Sequence, residues 1–538
     1  MIHKSLFGKP LPIKGSFPAI VLDALKKNGD KTALIHAETK QKVSFAKLHQ
    51  QAHSVASYLE KIGFKKGHVA CSAIPNCLEF PALVLGVTMQ GGVFSGTNFA
   101  FTEYELESIF GICNPKLVLC HSSNLDRVLK IKSKLPSIQH IILVPEKNES
   151  AKPYPEGVVP LAEVLETPVN PHYKLTEVDV IKDPMIMPHS SGTTGPPKAV
   201  MLSSTNLASV CTVFNDHVEK QIMQKIDPSY KLTETFDLII QPVSFVYGFR
   251  VLFSNLIYGQ TSVLMPRFDL ELYCKNVEEY KVRFLKMTPP LFVLLCKSPV
   301  VDNYDMSSVQ AIMTCSAPLG QGLSDLAMKR FENLKVVGQA FAQSETNFIT
   351  TMTHEPKLGA SGKLLPHLEM KVMDVETKES LEYNKPGEIC VRGSAVMIGY
   401  SNRPEATAEA IDSEGWLHTG DVGYVDEDGF LFVVDRLKEM IKVEGYQVAP
   451  AEIEDILLKH PNVQDSAVVG KPDDFAGEVP VAFVVLSNTE TSKEEVMSFV
   501  NDQLVRYKHL KDVFFIEKVP KSITGKISRR LLREQFKK

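Results

Sequence analysis

Gly429-Phe430-Leu431-Phe432-Val433-Val434-Asp435-Arg436-Leu437-Lys438-Glu439 divides the chain. A strand-like apolar run stops at a run of charges, and the residues beyond read as a unit with its own core. A helix opens at Pro450, a residue suited to a first helical turn, and carries Ile453, Ile456 and Leu457 at helical spacing before His460-Pro461 ends it. Strands follow at Ser466–Val469 and Val479–Leu486. The next helix begins at Ser492, with Glu495 three residues on in the pattern of a capping box, and its apolar face is Val496, Phe499, Val500 and Leu504. The expected division is a large N-terminal domain (1–434), a polar hinge (435–439) and a small C-terminal domain (440–538).

Upstream of the quoted stretch, strand-like runs alternate with helix-period segments. Lys116–Cys120, His140–Val144, Asp237–Pro242 and Ser262–Met265 are strand candidates. The pattern predicts an α/β fold, a large domain of packed mixed sheets and helices followed by a small α+β domain.

Composition narrows the possible functions. The chain has 538 residues, beyond the ~100–200 of a single domain. Its formal net charge is −4 with Lys and Arg scattered, which argues against a nucleic-acid-binding face. The longest apolar stretch, Phe80–Val93, is interrupted by Thr88, Gln90, Gly91 and Gly92 and falls short of the ~20 residues of a membrane span. The nine cysteines form no Cys-x-x-Cys pair, and most sit in or beside apolar runs. They read as buried free thiols in a reducing compartment rather than a metal site. Met1–Pro10 has no apolar segment behind its charge, so no secretory signal is expected. The chain ends Gln535-Phe536-Lys537-Lys538 rather than Ser-Lys-Leu, so a cytoplasmic location is expected, with peroxisomal import by another route left open.

The richest chemical segment is His189-Ser190-Ser191-Gly192-Thr193-Thr194-Gly195-Pro196-Pro197-Lys198, between a short apolar run and a helix capped near Ser203–Asn206. Glycines allow tight turns that present N–H groups, hydroxyls add donors and a lysine adds charge, which together suit a polyphosphate. The spacing is not that of a Walker A loop, and a plain Gly/Ser/Thr turn remains the alternative. Three later segments bear on the choice. Trp416-Leu417-His418-Thr419-Gly420-Asp421 sets an acid after a glycine turn, where it can accept from a ribose diol or be no more than a turn residue. Asp435–Glu439 is either a working charge cluster or a solvated run. Pro520-Lys521-Ser522-Ile523-Thr524-Gly525-Lys526 places a lysine on a turn.

In order and spacing these segments, with Ser316-Ala317-Pro318-Leu319, Gln339–Glu345 and Gly399–Asp421, resemble the adenylate-forming superfamily. The branch is that of 4-coumarate–CoA ligases, acyl-CoA synthetases and beetle luciferases, and the resemblance runs over nearly the whole chain. It implies ATP, Mg2+ and coenzyme A as cofactors and a small-molecule carboxylic acid as substrate. The acid attacks the α-phosphate, pyrophosphate leaves with magnesium, and a thiol then takes the acyl group.

The resemblance also implies roles. Ser190, Ser191, Gly192, Thr193, Thr194, Gly195 and Lys198 form the phosphate loop, with Thr194 counted among the catalytic residues. Ala317, Pro318, Gln339, Phe341 and Ser344 line the nucleotide, and Glu345 sits by the magnesium. Asp421 holds the ribose with Arg436 beside it, and Lys526 bridges the carboxylate and the α-phosphate. The small domain is mobile and turns at Lys438, withdrawing Lys526 and bringing Lys442-Val443-Glu444-Gly445 to the site. Phe245, Ser316, Ala342 and Gly445 are expected around the acyl substrate.

The sequence departs from the family pattern in places. Pro242-Val243-Ser244-Phe245-Val246-Tyr247-Gly248 carries Phe245 where the family commonly has histidine. Ala340 and Ala342 replace glycines around Phe341, whose ring can stack on adenine. Ala199 follows Lys198 where glycine is common, and His189 stands in a tyrosine's place. These changes predict an acyl pocket smaller or differently shaped than a long fatty acid needs. The leading expectation is an AMP-forming acid–thiol ligase for aryl or short- to medium-chain acids. The alternatives are a luciferase-type monooxygenase and a nucleotide-binding relic.

Overall fold

The apolar runs near the N-terminus pair into a nine-stranded sheet. Val69–Ala73, Val93–Gly96, Leu117–His121, His140–Val144 and Val158–Pro160 run parallel, and Lys198–Ser203 joins antiparallel beside Pro184–Ile186. Parallel strands covered on both faces read as continuous apolar runs, which is why this region shows little alternation. The computed structural model describes all residues except 9–14, 147–153, 191–196, 316–320, 444–445, 474–475, 489, 522–525 and 537–538. The apolar stretch from Phe80 becomes a helix, Phe80–Met89, buried along its whole length. No helix among the described residues is long and apolar enough to cross a membrane.

Three further sheets complete the large unit. Phe236–Ile239, Thr261–Leu264 and Thr32–His36 are parallel, with Lys42–Ser44 antiparallel at the edge. Phe284–Met287, Ala311–Cys315 and Val336–Gln343 are parallel, and the chain then doubles back through Asn347–Thr351. The last sheet is antiparallel, in the order His3–Lys4, Leu368–Met373, Gly387–Gly393, Leu417–Val425, Leu431–Arg436.

Past Glu439 the strands Ile441–Val443, Tyr446–Val448, Val463–Asp473, Gly477–Leu486 and Asp512–Phe515 form a separate sheet. Ile441, Ile453, Leu457, Val468, Val484, Val496 and Val500 make a core of their own beneath it. The helices fall at Pro450–Leu457 and Lys493–Asn501. Ser492 caps the second by accepting from the Glu495 N–H at 3.1 Å.

Two strands differ from expectation in an informative way. The strand expected over Asp237–Pro242 stops at Ile239, as Pro242 has no N–H to continue a ladder and the chain turns there. The strand expected to end at Val434 runs on through Asp435 and Arg436, which pair with Val422 and Asp421. Its ladder is long enough to carry charged residues, and it delivers Arg436 opposite Asp421.

Candidate active site

Partly exposed side chains gather where Val336–Gln343 meets its antiparallel partner. Phe341, Ala342, Gln343, Ser344 and Glu345 are all half-buried, between buried Ala340 and buried Thr346. These five successive residues are thus partly accessible although their neighbours on both sides belong to the core. A bulge between Phe341 and Ala342 turns the strand there, and the Phe341 N–H donates to Thr350 Oγ1 at 3.3 Å. Gln339 is buried just upstream.

Asp421 faces this wall. It is 4% exposed, and Arg436 Nε lies 2.8 Å from its Oδ1. Gln343 Nε2 donates to Asp421 Oδ2 and also, at 2.9 Å, to the Thr419 carbonyl. The turn that seats Asp421 uses Gly420 at φ +68, a left-handed position that favours glycine. Burial pushes the Asp421 carboxyl up to about 6, although Arg436 and Lys526 pull it down.

On another side, Lys198 and Glu345 meet through Tyr400. The short strand Gly399–Tyr400 pairs antiparallel with Lys198–Ser203, Tyr400 opposite Val200. Its hydroxyl donates to Glu345 Oε1 at 2.9 Å, and the Lys198 ammonium sits 4.7 Å from its ring centroid. Burial and the neighbouring Glu345 carboxylate hold the Tyr400 phenol well above its usual range. Ser190 lies opposite Lys198 on the adjoining strand, and both are half-buried.

Lys526 comes from the C-terminal unit and reaches this site. Burial, with Arg436 close by, pulls its ammonium down from the ordinary lysine range, while Asp421, Cys315 and Glu345 act in the opposite direction. Lys526 and Arg436, with Asp421 and Glu345, therefore lie within electrostatic reach of one another although they come from separate parts of the sequence.

The segment of Phe245 is pinned from two sides. A Cβ at Gly248 would lie 2.4 Å from the Pro242 carbonyl oxygen, and one at Gly96 would lie 2.4 Å from the Ser244 carbonyl oxygen. Phe245 precedes the helix Val246–Tyr258, and its ring is half-buried. His189, by contrast, holds Cys113 Sγ with Nε2 at 3.3 Å and is a wall residue.

Of the residues singled out in the sequence, Lys198, Glu345, Asp421, Arg436 and Lys526 come together, with Ser190, Gln339, Phe341, Ala342 and Ser344 around them. Lys438 and Lys442 are exposed, and the Lys442 N–H donates to Glu478 Oε2 at 2.9 Å. Ser191, Gly192, Thr193, Thr194, Gly195, Ser316, Ala317, Pro318 and Gly445 lie outside the described residues. Gln343 and Tyr400 went unassigned in the sequence. Gln343 stands inside the quoted motif, whereas Tyr400 has no spacing signature and is placed only by strand pairing.

The donor set suits magnesium ATP. Glu345 offers a carboxylate oxygen beside a lysine-lined strand, and a hard cation held by one or two carboxylates plus phosphate oxygens and water needs little more. Asp421 in its charged form offers a ribose diol two acceptors.

Comparison with known proteins agrees with this chemistry. Residues 22–401 match the model of the AMP-binding enzyme family, and 452–526 match the AMP-binding enzyme C-terminal domain. The 4-coumarate:CoA ligase 1 of Petunia hybrida is 38% identical over 514 residues, covering 94% of this chain and 91% of the relative. ATP-bound MatB from Rhodopseudomonas palustris superposes with a TM-score of 0.84 at 25% identity, over 96% of this chain and 99% of that one. The o-succinylbenzoate CoA synthetase of Bacillus subtilis, solved with its acyl-adenylate OSB-AMP, gives 0.80 at 25% identity, over 96% and 97%. With matches to both parts of the family and a relative of nearly full length, the chain belongs to the AMP-binding enzymes.

Proposed function

We propose that the protein is an ATP-dependent acid–CoA ligase. It condenses a carboxylic acid with ATP to an acyl-adenylate and pyrophosphate, and then passes the acyl group to the thiol of coenzyme A with release of AMP. The observation that carries this reading is Lys526, brought from the small unit into the enclosure of Glu345, Asp421 and Arg436.

The chemistry gives each group work. Attack of a carboxylate on the α-phosphate brings two negative groups together, and a cation placed between them lowers that barrier. Lys526 supplies it. Asp421 and Arg436 seat the ribose, and Phe341 offers a ring face to adenine. Lys198 and Ser190 face the β- and γ-phosphates. Glu345 would hold magnesium, which when bound would supply charge neutralisation for the pyrophosphate.

Lys442 is exposed while Lys526 is enclosed, which supports an adenylate-forming arrangement. In the second half-reaction the small unit (440–538) turns at Lys438, within the hinge 435–439. Lys526 then leaves, and Lys442 with Gly445 approaches. Phe245 and Ala342 line the acyl side and favour aryl or short- to medium-chain acids over long ones. The ligase names of the relatives do not favour a luciferase-type oxygenase or a silent relic. Nine unpaired cysteines support a reducing, cytoplasmic setting.

ATP–pyrophosphate exchange with a panel of acids, repeated with coenzyme A, tests the reading. Exchange with at least one acid, followed by thioester and AMP, is expected. Exchange without thioester would point to another acceptor, and no exchange with any acid would overturn the proposal.

A further inference from the structure

The antiparallel sheet that carries Asp421 also gathers a thiol, an imidazole and a carboxylate. On its strands Gly387–Gly393 and Leu417–Val425, Cys390 stands directly opposite His418. Glu388 lies just across a shift in register, and its carboxylate reaches the same imidazole. His418 Nδ1 is 2.9 Å from Glu388 Oε2 and 3.6 Å from Cys390 Sγ. One oxygen, one sulfur and one nitrogen, each from a different residue, thus lie within 4.8 Å of one another. Tetrahedral zinc holds such atoms at about 2.0–2.3 Å, which sets them roughly 3.3–3.6 Å apart, so the three need only small adjustments to share an ion.

The surroundings suit that use. Asp412 accepts from the Glu414 and Trp416 N–H groups through Oδ1, at 2.9 Å each, and its Oδ2 lies 3.6 Å from His418 Nε2. A carboxylate behind one ring nitrogen is the usual support of a metal-bound histidine, because it fixes the ring and leaves the other nitrogen for the ion. Cys390 and Glu388 are buried, whereas the His418 side chain is 22% exposed and gives the place an opening to water.

Charge agrees as well. A dication on one carboxylate and one thiolate is neutral, which burial favours. Lys371 faces Cys390 from the strand Leu368–Met373, but its ammonium is turned away, 4.6 Å from the Trp416 ring centroid and 4.0 Å from Glu414. Met373 Sδ, 3.6 Å from Cys390 Sγ, covers another side of the thiol. Thiolate and imidazole favour zinc, whereas magnesium and calcium take oxygen. Nine cysteines without a Cys-x-x-Cys pair spoke against a site built on cysteine, but one thiolate is enough when histidine and glutamate complete the set.

We propose that Glu388, Cys390 and His418 form a zinc site, with water on the open side of His418 as the fourth ligand. The Cys390 thiol gives its proton to solvent as the metal–sulfur bond forms. His418 precedes Asp421 by three residues in one strand, so the ion braces the turn that seats Asp421. The site is distinct from Glu345 and does not depend on which acid the enzyme activates.

Cobalt(II) is the probe, since a cobalt–thiolate bond adds a charge-transfer absorption band and tetrahedral geometry intensifies the visible bands. The full chain is stripped with a chelator and titrated with cobalt in excess magnesium, which fills oxygen sites such as that of Glu345. One equivalent should bind with both signatures, and zinc should displace it. Cys390→Ala should abolish the charge-transfer band, and Asp412→Asn should keep the band but weaken binding about 10–100-fold. Zinc should raise the melting temperature of the wild type and leave that of Cys390→Ala unchanged. His418→Gln, altered at a partly exposed position, should lose binding too and serves if Cys390→Ala does not fold. A wild type without the thiolate band, a band that survives in Cys390→Ala, or unchanged affinity in His418→Gln would each overturn the proposal and leave a Glu388–His418 ion pair beside a thiol.

Discussion

Arg436 stands directly across an antiparallel ladder from Asp421, with its Nε 2.8 Å from the carboxylate. The pairing leaves Asp421 buried yet charged-capable, with Gln343 and Arg436 holding it in place. Because burial outweighs Arg436, the carboxyl titrates near neutrality, at about 6. The group therefore changes charge within a range that is easy to examine.

Its sign can be worked out. A carboxyl whose folded pKa is raised contributes stability that is fully present below its unfolded pKa and is lost as pH rises through the folded one. That window runs from about 4 to about 6, and its size is about 3 kcal/mol at most. Nucleotide binding answers oppositely, since the ribose diol needs the charged form. ATP affinity should fall as pH drops through about 6. Asp421→Asn should bind ATP more weakly with a flat profile, and should lack the wild type's loss of melting temperature across that window. Isothermal titration and melting curves at a series of pH values give both readouts, and an Asn variant with the wild-type profile would rule the assignment out.

Lys526→Ala should slow adenylate formation by ~10²–10³ while leaving thioester formation from supplied acyl-adenylate largely intact. Single-turnover measurements separate the two steps. An equal loss in both would assign Lys526 a purely structural role.

Tyr400 connects Lys198 and Glu345, and two variants divide its contributions. Tyr400→Phe keeps the ring beneath Lys198 and removes the donor to Glu345, a hydrogen bond to a charged group worth roughly 1.5–3 kcal/mol. Exchange should drop about tenfold, with a higher requirement for magnesium. Tyr400→Leu should lose more, through Lys198. Wild-type kinetics for Tyr400→Phe would remove this tyrosine from the site.

Gly96→Ala and Gly248→Ala should each cost about 1–3 kcal/mol, because the new methyl meets a carbonyl oxygen of the Pro242–Ser244 segment. Both should also change acid preference by moving Phe245. Gly111, inside the helix Glu103–Cys113 with open space around it, is the control, and Gly111→Ala should stabilise by up to about 1 kcal/mol. Chemical denaturation measures all three. Equal stability across the set would show that the Phe245 segment is not clamped.

Much of this was legible in the chain because glycine turns and flanking charges leave marks at fixed spacing. Lys198, Asp421 and Lys526 each come shortly after a glycine in the sequence, and the structure brings the three to one region. Tyr400 left no such mark, since its place depends on pairing with a strand about two hundred residues earlier, a contact that local pattern does not encode. The strand end at Arg436 was missed because charges read as loop, although a sufficiently paired ladder carries them.

The contacts around the pivot have a consequence for timing. Arg436 ends its strand two residues before Lys438. Across the pivot, the Ala451 N–H of the small unit donates to Asp435 Oδ2 at 3.0 Å. In the proposed cycle the small unit turns by letting go of this contact, while the ribose seat stays where it is. Asp435→Ala removes it, and faster loss of the adenylate to water is the expected sign; an unchanged rate would discount the latch. Such a latch acts as a clock: how long the mixed anhydride stays sheltered before the thiol arrives is set by contacts remote from the phosphate.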